Sequence, residues 1–356
     1  MDNMNGTVAE GTVTNGAGTL AVAEKLTAKD FASSCDVRWC PGCGDYSILA
    51  QVQRTLPDID RKLEDYCFVS GIGCSSRFPY YMSGYGIHSI HGRALAIATG
   101  VKMANPKLSL WIATGDGDGL SIGGNHFMHT MRRNLDCVVL LFNNRIYGLT
   151  KGQYSPTSEA GKKTKSTPFG SIDHPVNPVL LALGAETTFV ARTIDREPKH
   201  QQEIYKRAYD HHGSSFVEIY QNCNIFNDGA FEHLTDKKVK ADNVVAIEHG
   251  KPLVFGVNSD KVIILDGFKP RVVSLTDGTH TVDDLVVYDE TNSDLAYIVA
   301  RMSDDPTFPT AIGVFLKIER ATYEDLAHGQ METVTAKIGP GDLEKMLTEG
   351  DTWVVG

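Results

Sequence analysis

Seven cysteines and two oxygen-rich segments stand out in this sequence as residues able to do chemistry. Trp39-Cys40-Pro41-Gly42-Cys43-Gly44 sets two thiols three residues apart on a Pro-Gly turn, so both sulfurs can converge on one metal centre. Gly115-Asp116-Gly117-Asp118-Gly119 puts carboxylates between glycines, which allow close backbone approach and unusual backbone angles. One crossover later, an apolar run ends in Asn143-Asn144. A carboxylate, an amide oxygen and a backbone carbonyl are the hard donors that Mg²⁺ takes, with phosphate oxygens and water completing its octahedron. Ser121 is read as the cap of the helix that follows, so that backbone N–H groups there face an anion.

Either oxygen-rich segment alone also reads as a surface turn; placement after two strands, at this separation, argues for a shared site. Other phosphate motifs fail: no G-x-x-x-x-G-K-[ST] occurs, Gly115–Gly119 does not complete G-x-G-x-x-G, and Leu120 occupies a ligand position of an EF-hand loop. Cys74 and Cys223 lie in two further loops and can complete a four-thiolate set. Cys67 and Cys137 sit inside apolar runs, where a free cysteine behaves as a small hydrophobe, and Cys35 lies in the polar approach to the Cys-x-x-Cys turn. These three are read as structural. Spacing alone leaves a zinc staple and a thioredoxin-like dithiol open, the second weakened because Cys-Pro-Gly-Cys precedes the first clear strand.

These segments need a scaffold that brings them together. Short apolar runs at Tyr66–Ser70, Leu108–Thr114, Cys137–Asn143, Thr187–Arg192 and Phe216–Tyr220 read as buried strands. Helical patterns at Tyr46–Leu56, Arg93–Met103, Asn125–Arg133 and Pro198–His211 alternate with them. The fold class is therefore α/β, a mainly parallel sheet with helices on both faces and ligands outside the carboxyl ends of its strands. The loops to search are Gly71–Ser76, Gly115–Gly119, Asn143–Gly148 and Gln221–Asn224. Residues 1–25 read as a disordered tail, 26–235 as the domain that carries the motifs, and 236–356 as a β-rich C-terminal extension, with runs at Val262–Leu265 and Ala311–Phe315 and a late helix near Gly341–Leu347.

The 356 residues are 42% hydrophobic and 22% charged, an ordinary globular composition. Residues 232–356 hold 22 Asp and Glu against 12 Lys and Arg, whereas residues 1–231 balance at 22 against 22, so no basic face is offered to nucleic acid. No run approaches the roughly 18 apolar residues of a membrane span, and no signal-peptide pattern opens the chain. A cytoplasmic, reducing compartment is expected, in which the cysteines serve metal or redox chemistry and not disulfides.

The Gly-Asp-Gly segment followed by Asn-Asn resembles the thiamine diphosphate signature. That resemblance makes Asp116 and Asn144 the side-chain ligands of Mg²⁺, with the Ile146 carbonyl as third and Asn143 structural. Trp39–Gly44, Gly71-Ile72-Gly73-Cys74-Ser75, His91-Gly92-Arg93-Ala94, Thr114–Asp118 and Asn143–Gln153 together are similar to the β subunits of 2-oxoacid:ferredoxin oxidoreductases, over roughly residues 35–235. The resemblance implies the thiamine diphosphate-binding fold and a [4Fe–4S] cluster on Cys40, Cys43, Cys74 and Cys223. It also implies cofactor contacts at Ile72, Gly73, Cys74, Ser75, His91, Gly92, Gly115, Asp116, Gly117, Asp118, Asn144, Ile146, Gly148, Leu149 and Thr150. Lys151 and Ser155–Ser166 look like the branch that uses 2-oxoglutarate, since pyruvate-using relatives have a second glycine where Lys151 stands. The implied activity is oxidative decarboxylation of a 2-oxoacid with coenzyme A, giving succinyl-CoA and CO₂ from 2-oxoglutarate and reducing ferredoxin. Only the diphosphate-binding half of a thiamine site is present, so an obligate α subunit is expected. The alternatives are a non-redox decarboxylase subunit with a structural zinc and a subunit that holds cofactor without turnover.

Overall fold

Apolar runs become strands here because both of their faces are covered. The computed structural model describes residues 25–59, 61–276, 278–279, 284–351, 353 and 355, and residues 1–24 of the expected tail lie outside them. The strands are β1 (Tyr66–Ser70), β2 (Tyr85–His88), β3 (Ser109–Gly115), β4 (Cys137–Asn143), β5 (Phe189–Ile194), β6 (Ser214–Tyr220), β7 (Val244–Ile247), β8 (Val254–Phe255), β9 (Lys261–Asp266), β10 (Lys269–Ser274) and β11 (Thr310–Lys317). The α-helices are α1 (Asp45–Thr55), α2 (Ala94–Ala104), α3 (Gly124–Arg133), α4 (Pro178–Gly184), α5 (Pro198–Asp210), α6 (Glu232–Thr235), α7 (Lys240–Asn243), α8 (Ser293–Met302), α9 (Tyr323–Ile338) and α10 (Leu343–Thr348).

Eight strands form one sheet in the order β2-β1-β3-β4-β6-β5-β11-β7. Neighbours are parallel except β5 and β11. Period-two alternation divides each central strand between two cores. Val69, Ile112, Val139 and Leu141 pack with side chains of α2, α3, α4 and α8. Phe68, Trp111, Ala113, Leu140 and Phe142 pack on the opposite face with α1 and α5.

The five strands and four helices expected before residue 235 are present, with ends shifted by no more than two residues. Among the elements not expected from the sequence are β2, α4, α6, α7, α8 and α9. β2 is an exposed edge strand without apolar alternation. α9 runs along the surface with almost no buried face. α4 is only seven residues long, although Asn177-Pro178 is a start signal: Asn177 Oδ1 accepts the Leu180 N–H and Pro178 opens the first turn. Asn177 Nδ2 also donates to the Ala300 carbonyl and to Asp304, tying α4 to α8. Asn177→Ala is expected to lower the unfolding free energy by about 1 kcal/mol, measurable by urea denaturation.

The β-rich extension is present, but residue 235 is no break in the structure. β11 covers the edge of β5 and β7 follows it, so two strands of the extension complete the main sheet and move its edge from β5 to β7. β8, β9 and β10 form a separate antiparallel sheet. The late helix is α10. Ser121 caps no helix: a π-helical turn over Asp118–Ile122 intervenes, and α3 starts after Gly123 with no side-chain cap.

Candidate active site

β1, β3, β4 and β6 are consecutive and parallel in the sheet, so their carboxyl ends lie along one edge. The loops that follow them are therefore neighbours in space. Between them opens a cavity of about 500 Å³, lined by Asp45, Ile72, Gly73, Cys74, Ser75, His91, Gly115, Asp116, Gly117, Asp118, Phe142, Asn144, Ile146, Tyr147, Gly148, Leu149, Thr150 and Gln153. Every residue for which the resemblance implies a cofactor contact is in this wall except Gly92. Gly92 stands behind it at φ +70°, its N–H donating to Asp118 Oδ1 at 2.6 Å.

The two aspartates of the Gly-Asp-Gly-Asp-Gly segment do different work. Asp118 is saturated by the protein: Oδ1 also accepts from the Ile72 N–H at 3.0 Å, Oδ2 accepts from Thr114 Oγ1 at 2.6 Å, and His91 Nδ1 lies 2.8 Å from Oδ1 without hydrogen-bond alignment. It pins the β1 loop and the His91-Gly92 turn to the end of β3. A Cβ on Gly71 would fall 2.0 Å from Asp118 Oδ2, so that approach requires glycine. Asp116 is equally buried, and burial raises its pKa above the ordinary carboxylate value against the hydroxyls of Ser155 and Thr157, which favour the charged form. A bound cation would relieve that cost. Asn144 Oδ1 accepts the Ile146 N–H at 3.1 Å, and Asn227 Nδ2 donates to the Asn144 carbonyl at 2.9 Å, which fixes the loop opposite Asp116. Gly73, at φ +143°, has no atom within 4 Å of where a Cβ would be, leaving open space at the cavity wall.

The thiols gather beside this cavity through long-range contacts. The Trp39 indole donates to the Cys74 carbonyl at 2.6 Å and packs edge-on against Tyr46 and Tyr81. Gly44 N–H donates to the Asn222 carbonyl at 3.1 Å, and Asn224 Nδ2 donates to the Pro41 carbonyl at 2.6 Å, clamping the Cys223 loop onto the Cys40–Cys43 turn. A Cβ on Gly148 would lie 3.6 Å from both the Cys74 and Cys223 sulfurs, so these two are no farther apart than twice that distance. Burial chiefly, then Asp45 and the thiols of Cys223 and Cys40, push Cys74 up to about 12. Cys43 is raised further by burial, Asp45, Cys223 and Cys74. Neighbouring thiols thus oppose the ionisation of Cys43 and Cys74, the electrostatics of a site that cations stabilise. Among the described residues, no group of three or more His, Cys, Asp or Glu is placed for a single metal ion. Cys67 and Cys137 are buried in strands and Cys35 is exposed in a loop.

Sequence reasoning missed Asp45, Phe142, Tyr147, Gln153 and Thr157. Tyr147 was inside a quoted motif: its hydroxyl donates to the Gly117 carbonyl at 2.9 Å, and a Cβ on Gly117 would collide with its ring. Asp45 follows the cysteine motif directly, yet nothing local signals that it is buried with neither oxygen hydrogen-bonded. Burial first, and Asp195 after the opposing effect of the Cys43 thiol, bring it to about 7.

Residues 71–219 match the family model described as thiamine pyrophosphate enzyme, C-terminal TPP binding domain. The chain is 50% identical over 347 residues to 2-oxoglutarate oxidoreductase subunit KorB of Mycobacterium tuberculosis, covering 96% of this chain and 92% of that protein. It is 47% identical over 190 residues to 2-oxoacid:ferredoxin oxidoreductase 1, subunit beta, of Aeropyrum pernix, covering 53% of this chain and 60% of the relative. A solved structure of 2-oxoglutarate:ferredoxin oxidoreductase from Magnetococcus marinus, with 2-oxoglutarate, coenzyme A and succinyl-CoA bound, superposes with a TM-score of 0.73 at 32% identity, over 92% of this chain and 97% of that one. The chain belongs to the 2-oxoacid:ferredoxin oxidoreductase β subunits. This β subunit carries a thiamine diphosphate-binding domain and is one subunit of a multisubunit enzyme. The M. tuberculosis match runs through the extension as well as the site. Among the described residues, no helix of the β subunit is long and apolar enough to cross a membrane.

Proposed function

We propose that this β subunit, with its α partner, converts 2-oxoglutarate and coenzyme A to succinyl-CoA and CO₂ and passes two electrons, one at a time, to ferredoxin in the cytoplasm. The observation that carries this reading is the placement of Asp116, Asn144, Cys74 and Cys223 on neighbouring strand-end loops, with the Cys40–Cys43 turn held against the Cys223 loop and Cys74 in the cavity wall itself. Bound thiamine diphosphate supplies the carbanion chemistry of decarboxylation, and a low-potential [4Fe–4S] cluster takes the electrons singly.

In this reading Asp116, Asn144 and the Ile146 carbonyl hold Mg²⁺ on the diphosphate. The cavity wall contains no Lys or Arg, so the cation is the source of counter-charge. Tyr147 and Asp118 keep the glycine-rich backbone in place for the cofactor contacts at Ile72, Gly73, Ser75, His91, Gly115, Gly117, Gly148, Leu149 and Thr150. Cys40, Cys43, Cys74 and Cys223 would hold the cluster. The exposed apolar side chains Leu326, Met331, Val334 and Ile338 of α9, with Leu343, Met346 and Leu347 of α10, support a subunit-packing role for the extension. The test is anaerobic purification of the α-supplemented complex, with iron, sulfide and zinc analysis, a visible spectrum and 2-oxoglutarate- and coenzyme A-dependent reduction of ferredoxin. Zinc without visible absorption, or no turnover by the complex, would overturn the reading.

Substrate choice is assigned to Lys151. It occupies an exposed turn at φ +75°, a left-handed conformation that costs a non-glycine residue roughly 1–2 kcal/mol. A lysine kept where glycine is relaxed suits a role for its ammonium, here attraction of the distal carboxylate of a dicarboxylate substrate. Lys151→Gly is expected to lower kcat/KM for 2-oxoglutarate more than for pyruvate, by roughly 1–3 kcal/mol, without loss of thermal stability. Equal losses on both substrates would assign the lysine a structural role.

A further inference from the structure

Beneath the cavity, a row of buried polar side chains crosses the carboxyl ends of β3, β4, β6 and β5. Thr157 Oγ1 lies 2.6 Å from Asp116 Oδ2 and 2.9 Å from Asn143 Oδ1. Asn143 Nδ2 donates to Glu218 Oε1 at 2.7 Å, and Arg192 Nε donates to Glu218 Oε2 at 2.6 Å, Arg192 and Glu218 being register partners on β5 and β6. Arg192 ends the row on Ser303 Oγ at 3.1 Å and the Ala311 carbonyl at 3.3 Å, both in the C-terminal extension. Thr157 is 4% exposed, and the other four members of the row are no more exposed than that.

We propose that Thr157 is a positioning residue for the divalent cation: its hydroxyl holds one oxygen of Asp116 so that the other is presented to the metal. The proposal rests on the reading that Asp116 ligates Mg²⁺. Thr157 has one hydroxyl proton and two acceptors within reach, and the charged carboxylate at the shorter distance takes it. Asn143 Oδ1 keeps the Arg145 N–H at 3.2 Å. The Arg192–Glu218 pair fixes the other end of the Asn143 amide, so the amide oxygen and not its NH₂ group faces Thr157. The reverse amide would set its oxygen against the Glu218 carboxylate and its NH₂ against the Arg145 N–H, both of them repulsive. The row places Asp116 under the control of strands that contribute nothing to the cavity wall, β5 and β11 among them.

The experiment uses the α-supplemented complex, with the visible spectrum as a check on the cluster, and measures thiamine diphosphate binding by equilibrium dialysis over a range of Mg²⁺ concentrations. Thr157→Val keeps the volume and removes the proton. Alanine is avoided because an adjoining cavity of about 240 Å³, which Thr157 also lines, would let water replace the hydroxyl. The Mg²⁺ needed for half-maximal cofactor binding is expected to rise about 10–100-fold in Thr157→Val, the range for residues that orient metal ligands. Thr157→Ser should restore most of it, and Thr157→Val should add nothing in an Asp116→Asn background. If Thr157→Val does not fold, Thr157→Cys, a weaker donor of similar size, should show an intermediate rise. Equal effects of Ser and Val, or an unchanged Mg²⁺ requirement while Asp116→Ala loses cofactor, would overturn the positioning role alone. Unchanged binding in Asp116→Ala would overturn the metal assignment and this proposal with it.

Discussion

Serine at any one of Cys40, Cys43, Cys74 or Cys223 is expected to remove the visible absorption of the anaerobically purified complex, together with most of its iron and acid-labile sulfide. The expectation follows from how the four thiols are held. Cys40 and Cys43 share one turn, closed by the Cys43 N–H donating to the Cys40 carbonyl at 3.0 Å. Cys74 and Cys223 face each other across Gly148, and Trp39 fixes Cys74 relative to the turn. Burial, Asp45 and neighbouring thiols keep Cys43 and Cys74 protonated without a metal, so the cluster must supply the charge that draws off those protons. A serine hydroxyl is harder to deprotonate and a poorer match for iron, and three thiolates leave one iron without its ligand. Alanine at Cys35, Cys67 or Cys137 should leave iron, sulfide and spectrum unchanged. Full occupancy in Cys223→Ser would remove the fourth ligand from the assignment.

Asp116→Ala is expected to weaken thiamine diphosphate binding at fixed Mg²⁺ by at least 10–100-fold, and by more than Asn144→Ala. Changes behind a metal's direct ligands already reach that range, so loss of a direct ligand should not fall below it. Asp116 is the one residue among the assigned Mg²⁺ ligands with a formal charge, and the cavity wall has no Lys or Arg to replace the cation. Asn144 contributes a neutral oxygen and also holds its own loop through the Ile146 N–H, so its variant loses ligation and some loop order but no charge. Titration of the α-supplemented complex, with the spectrum confirming an intact cluster, measures both. Unchanged affinity in folded Asp116→Ala would refute the site on which the proposed function rests.

The motifs were legible in the sequence because their geometry is local. A Pro-Gly turn brings Cys40 and Cys43 together whatever surrounds it, and alternating strands and helices impose a parallel sheet whose strand-end loops hold Asp116, Asn144, Cys74 and Cys223. Tertiary structure alone decided the rest. Strand order put β1, β3, β4 and β6 side by side, and so brought Cys74 to Cys223 although they are far apart in the chain. It also inserted β11 beside β5, which ties the extension into the main sheet through β11 and β7. The unequal roles of Asp116 and Asp118, the unpartnered burial of Asp45 and the seat of Thr157 between Asp116 and Asn143 have the same origin. Each depends on which side chains another segment supplies and on how much water the packing excludes, and neither is encoded in the spacing of neighbouring residues.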